Sequence, residues 1–564
     1  MTSRLGRRSP AEGGLGRRSL GEGGWPTRAQ TVAALVVFVA LAVFHTWPLA
    51  SGLNYYSRHD NADAMLNEWA IAWVAHQLPR NPIGLFHANI FYPEPHTLAF
   101  SEHLFVQGVM GAPLFWLGAP SLLVHNVLTI AGFALTGWAM CVVMYRWTGD
   151  WWAASLAGML YAFNAHSLAR FAHLQAMHVE FLPFAMLALD RLLTLPRLRY
   201  AIGLAAGYCL QSLTSNYQLA FTTFGVVGAA LARPEDWLLW SRRRTFVLLL
   251  LAAAIALLVL APFLVPYLQA QRDQGLTRTL GDAAYYRASW QDYLTTGSRL
   301  HYSWWSARFW RDTGAPLFPG FLAMTLAVAG AIRGNRPITR MWIGLGVVGV
   351  ALSLGPSLPG YHLLYRAFPL LQGIRATVRF GWLFLAAVAV LAGFGFGELR
   401  RRWPATRARL AVSVAVLVIV TAEASRMPLG FSPRGPYRSP AIYRLLHDEA
   451  AAVIVELPLY APAVWQLNAP YMLNSTRHWK PMLNGYSGFK PASYDRHYGQ
   501  LRSFPDGASI DALRSIGVTH VVVTQPAFVR EAGHETFNRI GETPSLRLMA
   551  RSGDVSIYRL ESPR

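Results

Sequence analysis

Long apolar runs, separated by short arginine-bearing loops, recur in this chain from about residue 29 to residue 424. No feature limits the fold more. A water-soluble core cannot hide that many apolar segments, whereas a bilayer demands helices of about 20 apolar residues, each satisfying its own backbone hydrogen bonds. Composition agrees: 14% of residues are charged and 53% hydrophobic, against about 25% charged in a typical soluble domain. An ordinary soluble protein and a disordered chain are excluded. A disulfide scaffold is excluded too, because the two cysteines, Cys141 and Cys209, lie inside apolar runs and read as small buried hydrophobes.

Eleven spanning runs are expected, at roughly 29–49, 119–145, 151–168, 174–194, 200–213, 217–232, 245–268, 316–332, 341–356, 379–398 and 409–425. The net charge of +21 tests that count. Only Lys480 and Lys490 are lysines, so the basic residues are nearly all arginine. A basic chain suggests nucleic acid as a partner, but the arginines cluster in the short loops, which is the pattern of cytoplasmic loops in membrane proteins. With eleven spans, the clusters at Arg146, Arg191 and Arg197, Arg233 and Arg242, Arg333 and Arg340, and Arg400 to Arg409 all fall on the side of the N-terminal tail. That side is the cytoplasm, and the chain after residue 425 lies outside. A multi-pass protein of a bacterial inner membrane is expected.

Three regions follow. Residues 1–28 carry a tandem repeat, LGRRSPAEGG then LGRRSLGEGG, and read as a disordered Arg/Gly-rich cytoplasmic tail. Residues 29–425 form the transmembrane domain. Residues 426–564 read as a small extracytoplasmic α/β domain, with β-branched runs at 451–458, 518–524 and 555–560 and a helix at 509–516. The external loop 50–118 should hold two helices. One, at 63–78, places Leu66, Trp69, Ala70, Trp73 and Val74 on one face with Asn67 and Glu68 away from it, as in a helix lying on a membrane surface. The other, at about 102–117, has Ser101 as its expected cap and Glu102 in its first turn.

Polar residues concentrate at the outer ends of the apolar runs. His59, Asp60 and Asp63 stand at the mouth of the first of those helices. The two carboxylates fit either a cap and a helix-dipole partner or a base or cation ligand at the water–membrane boundary. Glu102 and His103 fit the same cavity or a cap. Arg170 and His173 sit in an outer turn, against the charge pattern, where Arg170 either pairs with an acidic residue such as Glu180 or binds an anionic headgroup. Arg375 and Arg379 enter a span from outside, four residues apart, and suit a lipid phosphate or ordinary headgroup snorkelling. In the tail, Trp465, Trp479, Asn484, Tyr486, Phe489 and Tyr494 could hold a glycan or form the core that docks on the membrane domain. P-loop, zinc, nucleophile-elbow and dinucleotide motifs are absent.

The segments HDNADAMLNEWAIAW, NIFYPEPHTLAFSEH, RFAHLQ, PLLQGIRATVRF, KPMLNGYSGFKP and LRSIGVTHVVVT, in this order over nearly the whole chain, resemble the GT-C superfamily of membrane glycosyltransferases. Within it the likeness runs to bacterial YfhO-like membrane proteins. The resemblance implies a mainly helical GT-C fold with a sugar donor on a polyprenyl phosphate and an inverting transfer outside the membrane to a glycan, lipid or protein acceptor. It implies Asp60 first and Asp63 second as catalytic base; HDNAD stands in place of the acidic dipeptide of some members, which leaves the choice between the two open. It further implies Arg375 and Arg379 on the lipid phosphate, with Arg170, His173, Glu102 and His103 shaping the cavity. The two carboxylates and His59 leave a divalent cation, Mg or Mn, open as a cofactor. Two other classes share the scaffold: a non-catalytic component of glycan or lipid export, and a glycan-binding assembly protein.

Overall fold

A computed structural model describes residues 24–404, 406–433 and 441–561, so the N-terminal tail up to residue 23, with nearly all of its repeat, lies outside the described residues. All eleven apolar runs contain helices. In chain order, with the two helices of the first loop, these are α1 Arg28–His45, α2 Ala62–Gln77, α3 Phe105–Trp116, α4 Ser121–Thr148, α5 Trp151–Ala162, α6 Phe181–Thr194, α7 Leu198–Ser212, α8 Asn216–Leu231, α9 Arg243–Gln274, α10 Phe321–Arg333, α11 Arg336–Ser353, α12 Trp382–Arg402 and α13 Arg407–Ala424. Among the described residues, four helices are long and apolar enough to cross a membrane by length and composition: Arg28–His45, Ser121–Thr148, Trp240–Gln274 and Thr377–Arg402. On α9, Leu257 and Leu258 are exposed. Such a ridge of bare leucine is stable against lipid, not water. The protein is an integral membrane protein.

Close helix contacts depend on glycine. A Cβ on Gly330 of α10 would collide with the Leu391 carbonyl of α12, and one on Gly395 with the Leu326 carbonyl. Removing side chains there lets two backbones touch, which drives helix association where lipid offers no hydrophobic gain. As a result α12 is buried along nearly its whole length.

The expected spans 151–168 and 174–194 are shorter in the structure. Asn164 ends α5: its Nδ2 donates to the Tyr161 carbonyl (2.8 Å) and its Oδ1 accepts from Ser167 N (2.9 Å). This side-chain competition for backbone groups opens the helix. Residues 163–180 become a turn-rich segment carrying Arg170 and His173.

Helix α2 departs from the expected surface helix. Every side chain from Ala64 to Ala75 is buried, Asn67 and Glu68 included. The two polar residues find internal partners. Asn67 Nδ2 donates to the Ala172 carbonyl (2.9 Å), and Glu68 is bonded to His59 Nε2 (2.7 Å) and to the Ser121 hydroxyl. The Trp stripe is covered by residues of α3 and by the later helix Ala469–Ser475. Helix α3 also starts later than expected, at Phe105 after Leu104, so Ser101 is not its cap.

Residues 441–561 build a four-stranded sheet. Strand β1 (Ile454–Leu457) runs parallel to β2 (His520–Thr524), which pairs antiparallel with β4 (Val555–Leu560), itself antiparallel to β3 (Leu546–Ser552). The free edge of β1 is not left open. Residues 482–484 lie along it, with Leu483 N bonded to the Ile454 carbonyl (2.9 Å). The first loop in turn lies along 482–484: Met482 N to Asn89 O (2.9 Å), Tyr92 N to Met482 O (2.9 Å) and Phe91 N to Asn484 O (3.1 Å). Covering an edge in this way satisfies backbone groups that would otherwise be orphaned. It also joins the sheet and the first loop into one core, in which Trp69, Phe91 and Phe100 pack with Met472, Met482 and Tyr494.

Candidate functional site: a carboxylate and four arginines under the sheet

Where the sheet meets the helix ends, a cavity of about 440 Å³ opens between the start of α2, residues 99–102, the start of α8, the end of α9, residues 369–379 and residues 488–489. Asp63 lines it. The chain enters α2 through Asn61, whose Oδ1 accepts from Asp63 N (2.8 Å), so Asp63 falls in the first turn with its side chain toward the cavity. Tyr486 of the sheet region donates its hydroxyl to Asp63 Oδ1 (2.7 Å), and His173 Nε2 lies 3.4 Å from Oδ2. Burial, then the charges of Arg379 and Arg170, hold the His173 imidazole well below its ordinary range, so it is neutral at physiological pH. Burial, then the negative charge of Asp63, raises the Tyr486 phenol and keeps it a donor.

Asp60 points elsewhere. Its carboxylate is held by Arg58 (3.0 and 3.1 Å), its side chain is 48% exposed, and it does not line the cavity. His59 is turned inward onto Glu68 (2.7 Å). Of the three residues at the head of the loop motif, the structure brings only Asp63 to the cavity.

Four arginines gather around this carboxylate without pairing to it. Arg375, Arg379 and Arg278 line the cavity, and Arg170 shares a smaller polar chamber behind it with Arg379, His166 and His173. Among the described residues, none of the four has a carboxylate within ion-pair distance, and Glu180, the expected partner of Arg170, is bonded to His178 instead (3.0 Å). Aromatic faces take the place of acids: Arg379 lies 4.7 Å from the Tyr217 ring, Arg375 5.1 Å from that of Tyr286 and Arg278 3.7 Å from that of Phe489. Cation–π contact eases the burial of a guanidinium but does not neutralise it. Burial, then the neighbouring charge of Arg379, lowers Arg170 below its usual value; burial, then Arg375, does the same for Arg278. A cluster of like charges in a half-buried cleft is costly until an anion enters.

Glu102 lines the cavity, but its Oε2 accepts from Asn216 N (2.6 Å) and so serves the start of α8, not that of α3. Burial raises its carboxyl above the usual range. His103 lies behind the wall, its ring against Phe86 and Phe263 and its Nδ1 accepting from Phe105 N (3.0 Å). Two site residues escaped the sequence reading. Arg278 is one of several arginines in the loop after α9, and only the arrival of Phe489 and the Gly488 carbonyl, 210 residues away, distinguishes it. Tyr286 gave no signal in the sequence.

Below the charged end the cavity wall becomes apolar. Leu219, Leu264 and Leu370 line both it and a second cavity of about 530 Å³ between α7, α8 and α9, whose surface is almost wholly hydrocarbon. The two spaces share that wall, so a polar head at the arginines and a long apolar tail beside α9 fit one amphipathic molecule. The acidic residues lining the charged cavity are Asp63 and Glu102, and among the described residues no three His, Cys, Asp or Glu side chains converge to hold a metal ion. This donor set does not fit a resident divalent cation.

No protein-family model and no curated protein sequence matches the chain. Solved structures do. The arabinofuranosyltransferase AftD from Mycobacteria superposes with a TM-score of 0.60 at 16% identity, over 96% of this chain and 40% of that one. Its R1389S mutant gives 0.59 at 17% identity, over 96% and 42%. ArnT from Cupriavidus metallidurans bound to undecaprenyl phosphate gives 0.48 at 16%, over 94% and 100%. The chain thus spans about two fifths of AftD's length. What the likeness shows is the fold: over nearly its whole length this chain shares the membrane architecture of that part of AftD.

Proposed function

We propose that this protein is a glycosyltransferase that moves a sugar from a polyprenyl-phosphate donor to a glycan, lipid or protein acceptor outside the bacterial inner membrane, its N-terminus in the cytoplasm. One observation carries the reading: a single available carboxylate, Asp63, faces a cavity ringed by arginines that lack acidic partners, and this cavity adjoins an apolar groove. The AftD fold and the YfhO-like loop motifs support it. The donor phosphate sits on Arg375, Arg379 and Arg278, with its prenyl chain along Leu264 and Leu370. Asp63 takes the proton of the acceptor hydroxyl as that oxygen attacks the anomeric carbon. The bond from that carbon to the phosphate oxygen breaks, the configuration inverts, and the departing phosphate keeps the electron pair. The arginines stabilise the charge that develops on it. Neutral His173 lies beside the base without contributing a competing positive charge.

The test is transfer in nanodiscs, with a panel of labelled polyprenyl-phosphate sugars and host membrane extract as acceptor. The wild type is expected to consume one donor. Asp63→Asn should lose about 10²–10⁴-fold, the usual contribution of a general base, whereas Asp60→Asn should retain activity. Full activity in Asp63→Asn, or no consumption of any donor by the wild type, overturns the reading.

A further inference from the structure

We propose that Tyr486 is a positioning residue for Asp63, so that the sheet region is part of the catalytic machinery and not an appended module. The inference rests on the reading of Asp63 as the base. The two residues are 423 apart in sequence, yet the phenol donates to Asp63 Oδ1 at 2.7 Å. With Oδ1 taken, Oδ2 is left to accept the proton of the acceptor.

The chain that carries the phenol is pinned on both flanks. Asn484 is locked to β1: its Oδ1 accepts from Glu456 N (2.7 Å), and its Nδ2 donates to the Glu456 carbonyl (2.8 Å) and to Asn468 Oδ1 (3.0 Å). Next comes Gly485, where a Cβ would lie 2.6 Å from the Phe91 ring. Only glycine lets the chain cross that ring, and the crossing delivers Tyr486 to the cavity. The Tyr486 ring packs on Trp465 (5.1 Å between centroids). Beyond it, a Cβ on Gly488 would lie 2.9 Å from the Phe100 carbonyl, and Phe489 N donates to that carbonyl (2.9 Å) while its ring carries Arg278. A hydroxyl fixed at both flanks by backbone bonds is preorganised and loses little entropy in orienting the carboxylate.

The variant that tests this is Tyr486→Phe, which keeps the ring and removes the donor. Its kcat should fall about tenfold with donor KM and melting temperature unchanged, the signature of a misplaced base and not of a weakened fold or donor site. 3-Fluorotyrosine at 486, a donor of nearly the same shape, should keep kcat near the wild type, and it tests the hydroxyl even if Tyr486→Phe does not fold. Wild-type kcat in folded Tyr486→Phe overturns the proposal, as does a loss of activity that only tracks folded yield. Activity surviving in Asp63→Asn would instead overturn the base reading.

Discussion

Arg233 and Arg379 stand at opposite ends of the same helical bundle and are treated in opposite ways. Arg233, past the end of α8, gives Nη1 to Asp190 (2.8 Å), Nε to Asp236 (2.7 Å) and Nη2 to Thr194 (3.2 Å). Its neighbours follow the same rule: Arg400 bonds Asp150 (3.0 Å), and Arg340 forms a two-pronged pair with Glu235. At the end under the sheet, Arg379, Arg375 and Arg278 lie on aromatic rings. A guanidinium whose donors are matched by carboxylates is finished and holds helices together. One whose charge is left unmatched in a cleft retains its affinity for an anion that arrives later.

The largest effect should come from breaking a finished pair. Arg233→Met leaves Asp190 buried without its partner and should cost about 3–5 kcal/mol of stability. The double variant Arg233→Met with Asp190→Leu should recover most of it, as read by thermal melting in detergent. Arg379→Gln inverts the pattern: thermal stability stays at or above the wild type, because like-charge repulsion is relieved, while donor turnover falls about 100-fold, the usual effect of deleting one preorganised charge-stabilising group. If Arg379→Gln instead destabilises as Arg233→Met does, the distinction between the two ends fails.

A buried acid without any arginine sharpens the comparison. Glu456 accepts from the Tyr443 hydroxyl (2.6 Å), and burial raises its carboxyl from the ordinary 4.5 to about 8. Between those values the unfolded chain has released the proton and the fold retains it, so the folded state binds more protons. The contribution of Glu456 to stability is therefore fully present below about pH 4.5 and is lost as pH rises toward 8. Hydrogen exchange at β1 across that range should show the decline, and Glu456→Gln should flatten it. The smallest effect belongs to Arg340→Ala, which opens a pair exposed on both sides and should leave the melting temperature unchanged.

Much of the helical frame was legible because its signal is local. An apolar run long enough for a bilayer announces itself regardless of what packs on it, and all eleven expected runs contain helices. The α2 segment misled for the converse reason. Asn67 and Glu68 on a helix face look like solvent-facing residues until the carbonyl of Ala172 and the ring of His59 arrive to satisfy them. Strand β3 and the helix Gln525–Glu542 were missed as well. The Leu546–Ser552 run alternates weakly and carries two arginines, so its pairing with β4 and not its composition makes it a strand.

For the site, the types of residue were readable and their grouping was not. From the sequence alone, HDNAD offered two acids, of which the resemblance put Asp60 first, and RFAH and IRATVR offered outer arginines with more than one use. Asn61 separates the two in space, because the residue that caps α2 decides which neighbour falls in the first helical turn and which is left to Arg58 outside. Only the tertiary structure could bring Tyr486, Phe489 and Arg278 to the cavity. Their meeting depends on a sheet edge formed hundreds of residues later and covered by the first loop, through hydrogen bonds that no local pattern encodes. The sequence by itself determined a membrane-spanning helical protein with polar groups at one set of helix ends, since partition into lipid depends on composition over a short window. Which of those polar groups face one another was decided by packing over the whole chain, because hydrogen bonds and ion pairs act over a few ångströms and take their partners from wherever the fold brings them.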